Sequence, residues 1–153
     1  MAAAYAVAAR TGIDGLTVRA VAERAGLSHG LVHFHFESRN RLVGALLERV
    51  LALTSVLEVS ADVAGIPGTL DRFHALLRRE MERLSQAPAA VRLFLEFWAL
   101  GTRDPAVRAR ISEALEGYRA AFRVLTAEVL RAEPAAFAGV TPDGLAAVAV
   151  SFV

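Results

Sequence analysis

The chain is predicted to be all-α. Three observations carry that expectation. Apolar residues recur at helical spacing in every segment long enough to show a period, and strand-like alternation is absent. The breaks between segments also carry helix-start chemistry, a Ser, Thr or Asp followed in two places directly by Pro. With 153 residues, 55% of them hydrophobic, the chain can bury a sizeable core, and its abundant Ala favours helix.

The elements follow in order. Val18, Val21 and Ala22 share one face of a helix over Thr17 to Ala25, with Thr17 as N-cap. Gly26 stands where a helix commonly stops in a left-handed residue. Leu27 is expected to point inward, and Ser28 to cap a second helix from about His29 to His35. Ser38 caps a helix from Arg39 to about Glu58, with Leu42, Ala45, Leu46, Arg49 and Leu53 along one side. Val59 to Gly68 holds Gly65, Pro67 and Gly68 and reads as a loop. Leu70, Phe73, Leu77, Met81 and Leu84 form a stripe on a helix over Thr69 to Ser85. Pro88 opens another helix ending at Gly101, with Val91, Phe94, Leu95 and Trp98 expected inward. Asp104 and Pro105 start a long helix to about Ala132, whose stripe is Val107, Ile111, Leu115, Tyr118, Phe122, Leu125 and Val129. Pro134 and Gly139 break the chain, and Thr141-Pro142 starts the last helix.

The first two of these helices, joined by a three-residue turn containing Gly, make a helix-turn-helix unit. In such a unit the start of the second helix faces base edges while flanking groups hold phosphates. Charge points the same way, weakly. Overall it is only +1, but residues 1–50 carry six Arg against four acids and three of the four His, whereas the rest is slightly acidic.

The stretch TVRAVAERAGLSHGLVHFHF, Thr17 to Phe36, resembles the TetR family of bacterial transcriptional regulators. Thr17, Val18, Ala22, Ala25, Gly26, Ser28, Gly30, His35, Phe36, Ser38 and Leu42 match the family pattern directly, without a gap. The resemblance implies an N-terminal three-helix head over residues 1–40 and a helical ligand-binding and dimerisation domain over 41–153. AAAYAVAARTG then resembles the second half of the family's first helix, ending at Gly12. The segment Phe94 to Trp98, with Arg103-Asp-Pro105, is similar to the betaine-regulator branch, from which no ligand is inferred. The chain is expected to continue beyond both ends, because the turns before residue 1 are absent and the apolar run Leu145, Val148, Val150, Phe152, Val153 stops without a cap.

Roles in the head are then expected as follows. Thr17 and Ser28 begin helices whose free N–H groups suit phosphate. Arg19 reaches a phosphate or a base edge, and Arg39, at the place of the family's usual Lys, contacts phosphate. His29 and Leu31 start the recognition helix, Gly30 admits close backbone approach, and His33 replaces a phosphate-contacting Tyr. Val32, Phe34 and Phe36 are expected to pack the head. The recognition helix has no Lys or Arg, which departs from the family and leaves discrimination to Arg19, His29, His33 and DNA shape.

Competing chemistries are weaker. His29, His33 and Glu37 stand at i, i+4, i+8, but Ser38 starts a new helix, so Glu37 is expected in a turn and no metal site is assigned. His35 is expected to pack or cap locally. Phe73, His74, Phe94, Trp98, Tyr118 and Phe122 are candidates to line a small-molecule cavity, although ordinary core explains each singly. Phosphate-loop, nucleophile-elbow, metalloprotease and dinucleotide motifs are absent, so no enzyme and no cofactor is expected. No run reaches the roughly 18 apolar residues of a membrane span, no signal peptide is seen, and there is no Cys, which suggests a cytoplasmic protein. The expected function is a ligand-responsive DNA-binding regulator, a repressor released by a small molecule from a near-palindromic double-stranded operator bound as a homodimer. The alternative is a helical protein-interaction module with a vestigial head.

Overall fold

The computed structural model describes residues 1–57 and 59–151. Among these the chain is all helix: α1 (Ala2–Thr11), α2 (Val18–Ala25), α3 (His29–Phe36), α4 (Arg39–Thr54), α5 (Ala61–Ala64), α6 (Thr69–Ser85), α7 (Pro88–Gly101), α8 (Pro105–Ala132) and α9 (Pro142–Ser151). They form two compact units, residues 1–54 with 88–112 and residues 55–87 with 113–151, so α8 starts in the first and continues in the second. This division does not coincide with a boundary at residue 40, because α7 and the start of α8 pack with α1 to α4.

The helix starts are those that local chemistry dictates. The Thr17 hydroxyl accepts from the Ala20 amide at 3.1 Å, Ser28 from Leu31 at 3.2 Å and Ser38 from Arg41 at 3.2 Å. Asp104 accepts from Ala106 at 2.9 Å and Val107 at 3.2 Å, and Thr141 from Gly144 at 3.1 Å. Each satisfies N–H groups that a helix start leaves unpaired, worth about 1 kcal/mol.

In the first unit α4 is central. Leu42, Leu46, Leu47, Val50 and Leu51 are its buried face, and it packs against α1, α3 and α7. The expected face was partly wrong, since Arg49 is exposed and Leu47, Val50 and Leu51 are core. The helix also ends earlier, at Thr54, whose hydroxyl donates to the Val50 carbonyl at 2.9 Å; Glu58 lies outside the described residues. On α7 the inward face is Ala90, Leu93, Phe97 and Gly101, whereas Leu95 is 59% and Trp98 53% exposed. The expected face of Val91, Phe94, Leu95 and Trp98 is therefore rotated. This helix is apolar on nearly every side, so period alone does not fix its rotation. Small side chains do, because Ala90 and Gly101 permit close approach.

In the second unit Phe73, Leu76, Tyr118, Phe122, Val129, Ala146 and Ala149 form one core, with Val63 of α5 packed into it. The region expected to be loop thus contains a short helix, anchored by Val63 and by an Asp62–Arg79 ion pair at 2.6 Å. On α6 the Leu70 and Phe73 side of the stripe holds, but Met81 is exposed and Glu80 takes the inward place. Glu80 is only 2% exposed. Its carboxylate accepts from Arg83 through Nε at 2.9 Å and Nη2 at 2.7 Å, and from the Tyr118 hydroxyl at 3.0 Å. A buried carboxylate is tolerated only with such partners.

Burial, then the neighbouring Glu80 charge and the hydrogen bond to it, push the Tyr118 phenol well above its ordinary value. A raised folded value means that the native state keeps a proton that the unfolded chain has lost. Stability is therefore complete below about pH 10 and falls above it, by up to ~1.4 kcal/mol per pH unit. Urea unfolding followed from pH 8 to 11 should show this slope in the wild type. In Tyr118→Phe the slope should be reduced, while stability at pH 8 drops by about 1–2 kcal/mol from the lost bond to Glu80.

Candidate nucleic-acid interface

The reading head is α2, a tight turn and α3. α2 ends because Gly26 adopts φ 66 and ψ 30, a left-handed conformation that costs Gly little. The Leu27 amide then donates back to the Ala22 carbonyl at 3.0 Å, closing the helix end. It is this backbone bond that the turn uses. The Leu27 side chain, expected inward, is exposed.

α3 is held by very little. Val32 is its one buried residue and Phe36 is half-buried, with His35 set edge-on to the Phe36 ring at 4.6 Å. Ser28, His29, Gly30, Leu31, His33 and Phe34 all face solvent. His29 and His33 lie side by side, ring centres 6.1 Å apart, and a Cβ added at Gly30 would meet nothing within 4 Å. Phe34 was expected in the head core but is 84% exposed. A period count assigns it to packing because it is apolar; only the placement of α3 on Val32 and Phe36 shows that it faces away. Glu37 turns out of line at φ 59 and pairs with Arg41 at 3.4 Å, so it does not extend the His29–His33 row.

Two cations of the head differ in how firmly they are held. Arg19 pairs with Glu23 at 3.0 Å across an exposed helix surface, a bond worth only a few tenths of a kcal/mol and easily exchanged for phosphate. Arg39 is engaged. Its Nε donates to the Leu16 carbonyl at 3.1 Å and its Nη2 to Ile13 at 3.0 Å and Asp14 at 3.5 Å. The side chain that the sequence offers as a phosphate contact thus holds the turn before α2, and Thr17, the α2 cap, follows that turn directly.

The proposed cavity residues are less well assembled. Phe73, Tyr118 and Phe122 meet in the core of the second unit, the latter two edge-to-face at 5.2 Å. The space beside Phe73 amounts to about 10 Å³, room for one water at most. Tyr118 spends its hydroxyl on Glu80. His74 is exposed and lines an open groove with Asp71, Arg78 and Glu82. Phe94 and Trp98, ring centres 6.2 Å apart, belong to the first unit.

Comparison with known proteins agrees with this geometry. Residues 1–46 match the bacterial regulatory proteins of the tetR family, and residues 69–153 match the C-terminal region of BetI-type transcriptional repressors. The HTH-type transcriptional regulator BetI of Serratia proteamaculans is 25% identical over 95% of this chain and 72% of its own length. Its counterpart in Burkholderia thailandensis is 26% identical over 89% of this chain and 68% of its own. Two solved structures share the fold. A regulator from Clostridium perfringens has a TM-score of 0.65 at 20% identity, covering 98% of this chain and 78% of that one. A transcriptional regulator from Rhodococcus sp. Rha1 has a TM-score of 0.58 at 24% identity, covering 98% and 81%. Among the described residues no helix is long and apolar enough to cross a membrane. The capped helix-turn-helix, its bare second helix and the two matches together make this chain a transcriptional regulator of the TetR family, with a DNA-binding head and a BetI-type C-terminal region.

Proposed function

We propose that the chain acts as a repressor that a small molecule releases from a near-palindromic operator. The observation that carries the reading is the face of α3, where all eight positions except Val32 and the half-buried Phe36 are exposed to solvent. Exposed Leu31 and Phe34 on one short helix have a cost in water that contact with DNA would remove. Two copies of the head, related by a two-fold axis, would set their recognition helices in successive major grooves about 34 Å apart. The Thr17 and Ser28 helix starts, Arg19 and His33 would hold phosphates, and His29, Gly30 and Leu31 would meet base edges. Leu31 and Phe34 can offer only apolar contact, such as to a thymine methyl. Arg39 would act chiefly through the turn that it holds, with its exposed flank toward the backbone of the DNA.

The effector half of the reading rests on kinship to BetI-type repressors and on the aromatic core of the second unit. Since the space at Phe73 is nearly filled, a ligand seated there would have to bind a more open state. That differential affinity is what would shift the DNA-bound population. The division into a reading head over residues 1–40 and an effector and dimerisation part over 41–153 belongs to the same proposal.

Titrating the protein with intergenic DNA flanking its own gene, at two salt concentrations and against scrambled competitor, tests the DNA reading. Binding that survives competitor supports it. Loss to competitor and salt alike would mean backbone contacts only and would favour an interaction module instead. On the operator so found, Phe34→Ala should weaken binding by about tenfold while leaving the unfolding midpoint within the ±0.5 kcal/mol usual for surface changes. His29→Ala should change the ranking of operator variants, whereas Arg39→Ala should weaken all of them by a similar factor. Parallel losses for both variants would remove His29 from base reading.

A further inference from the structure

We propose that Arg92 and Glu96 position the DNA-reading head by holding the backbone where α1 ends and the turn before α2 begins. The proposal rests on the DNA-binding reading above and adds a contact from α7 that reaches the head without passing through α4.

α7 carries only two charged side chains, Arg92 and Glu96, one turn apart on the same face. Both are directed at main-chain atoms at the end of α1 and in the turn that follows it. The Glu96 Oε2 accepts from the Ile13 amide at 2.8 Å, and the Arg92 guanidinium donates to the Ala9 carbonyl. Arg92 Nε also lies 3.7 Å from Glu96 Oε1, so each supports the other's placement. The backbone is shaped to admit them. Gly12 turns the chain out of α1 at φ 73, and a Cβ there would stand 3.0 Å from Glu96 Oε2. Helix ends leave carbonyls such as that of Ala9 short of partners, and the Ile13 amide has no helical carbonyl to reach. Ile13 is 7% exposed, so without Glu96 its amide is left poorly solvated and unpaired.

Ile13 is held from both sides. Glu96 of α7 takes its N–H and Arg39 of α4 takes its C=O, while Leu16 N–H also donates to that carbonyl at 3.1 Å. Four residues further on, Thr17 caps α2. Two charged side chains from helices outside the helix-turn-helix therefore fix the segment that sets where α2, and with it α3, begins. A displacement of α7 is transmitted to the reading head through the backbone at Ala9 and Ile13, and loss of Glu96 loosens the head's pose rather than its internal fold.

The test compares Glu96→Ala, which removes the acceptor, with Glu96→Gln, which keeps an amide oxygen for Ile13 but no charge. Three quantities are read on each: affinity for the intergenic operator duplex and for scrambled duplex, hydrogen exchange of the Ile13 amide, and thermal midpoint. Glu96→Ala should bind operator about tenfold more weakly at a temperature where it is fully folded, with Ile13 exchanging about tenfold or more faster. Glu96→Gln should stay within about threefold on both. Arg92→Ala, which removes the Ala9 contact and the support that Arg92 gives Glu96 but leaves the Ile13 acceptor in place, should lose about threefold in operator affinity. A lowered midpoint with wild-type operator affinity in folded Glu96→Ala and Arg92→Ala would make the pair structural only and overturn the proposal. If wild type does not distinguish operator from scrambled DNA, the DNA reading itself fails. Exchange then decides: unchanged protection of Ile13 and of the α2 amides in Glu96→Ala overturns the positioning role, and faster exchange confined to them upholds it.

Discussion

The reading head depends first on the apolar face of α4. Leu42, Leu46, Leu47, Val50 and Leu51 are buried there, each worth about 1.5–3 kcal/mol on transfer from water. α1, α3 and α7 all pack against this one helix. Small helices of eight residues, such as α2 and α3, are far too short to persist alone. They exist because α1 and α4 supply the surface that Val21, Ala22 and Val32 need. Remove that face and the caps of Thr17 and Ser28 would have nothing to cap.

What the sequence makes legible is what is decided locally. Thr17, Ser28, Ser38, Asp104 and Thr141 all cap the helices expected of them, because a cap involves only the next three residues. Gly26 is equally local, since only its own φ is at stake. Helix rotation is not local. α7 reads PAAVRLFLEFWALG, apolar around most of its circumference, and either Leu93 and Phe97 or Phe94 and Trp98 would make a core stripe. The choice is made by what fits against α4, and the small Ala90 and Gly101 lie on the side that wins. The same ignorance of packing misplaces Leu27 and Phe34, apolar residues that the fold leaves in water.

Polar contacts over long separations were also invisible. Arg39 was legible as a cation near the DNA-reading helices, but not as the donor to carbonyls 23 and 26 residues away. Glu80 sits in a register where a hydrophobic residue would be expected; Arg83 is a local partner three residues on, but nothing in its neighbourhood announces that Tyr118, 38 residues away, will also satisfy it. Tyr118 was legible as an aromatic facing inward, and this much is so; its hydroxyl already has a partner, which the stripe could not reveal. In each case the sequence shows that a polar group must be satisfied, and only the fold shows by what.

The head's lightly attached second helix follows from these constraints. A helix that reads DNA must leave most of its surface unburied, so it cannot also contribute much to stability. α3 meets that conflict with one buried residue, Val32, and one half-buried ring, Phe36. The orientation that such a helix lacks has to be imposed from its ends. At its start Ser28 caps it directly after the Gly26 turn, and at its finish Glu37 takes a left-handed φ of 59, tied to Arg41 at the start of α4. That conformation is costly for a residue with a Cβ, by about 1–2 kcal/mol, and the short connection from α3 to the Ser38 cap requires it. The head's stability is thus concentrated in α4 and its partners, while the turns around α2 and α3 carry the geometry. In a chain whose recognition helix has no Arg or Lys of its own, accurate placement of His29, Leu31 and Phe34 must supply what charge does not.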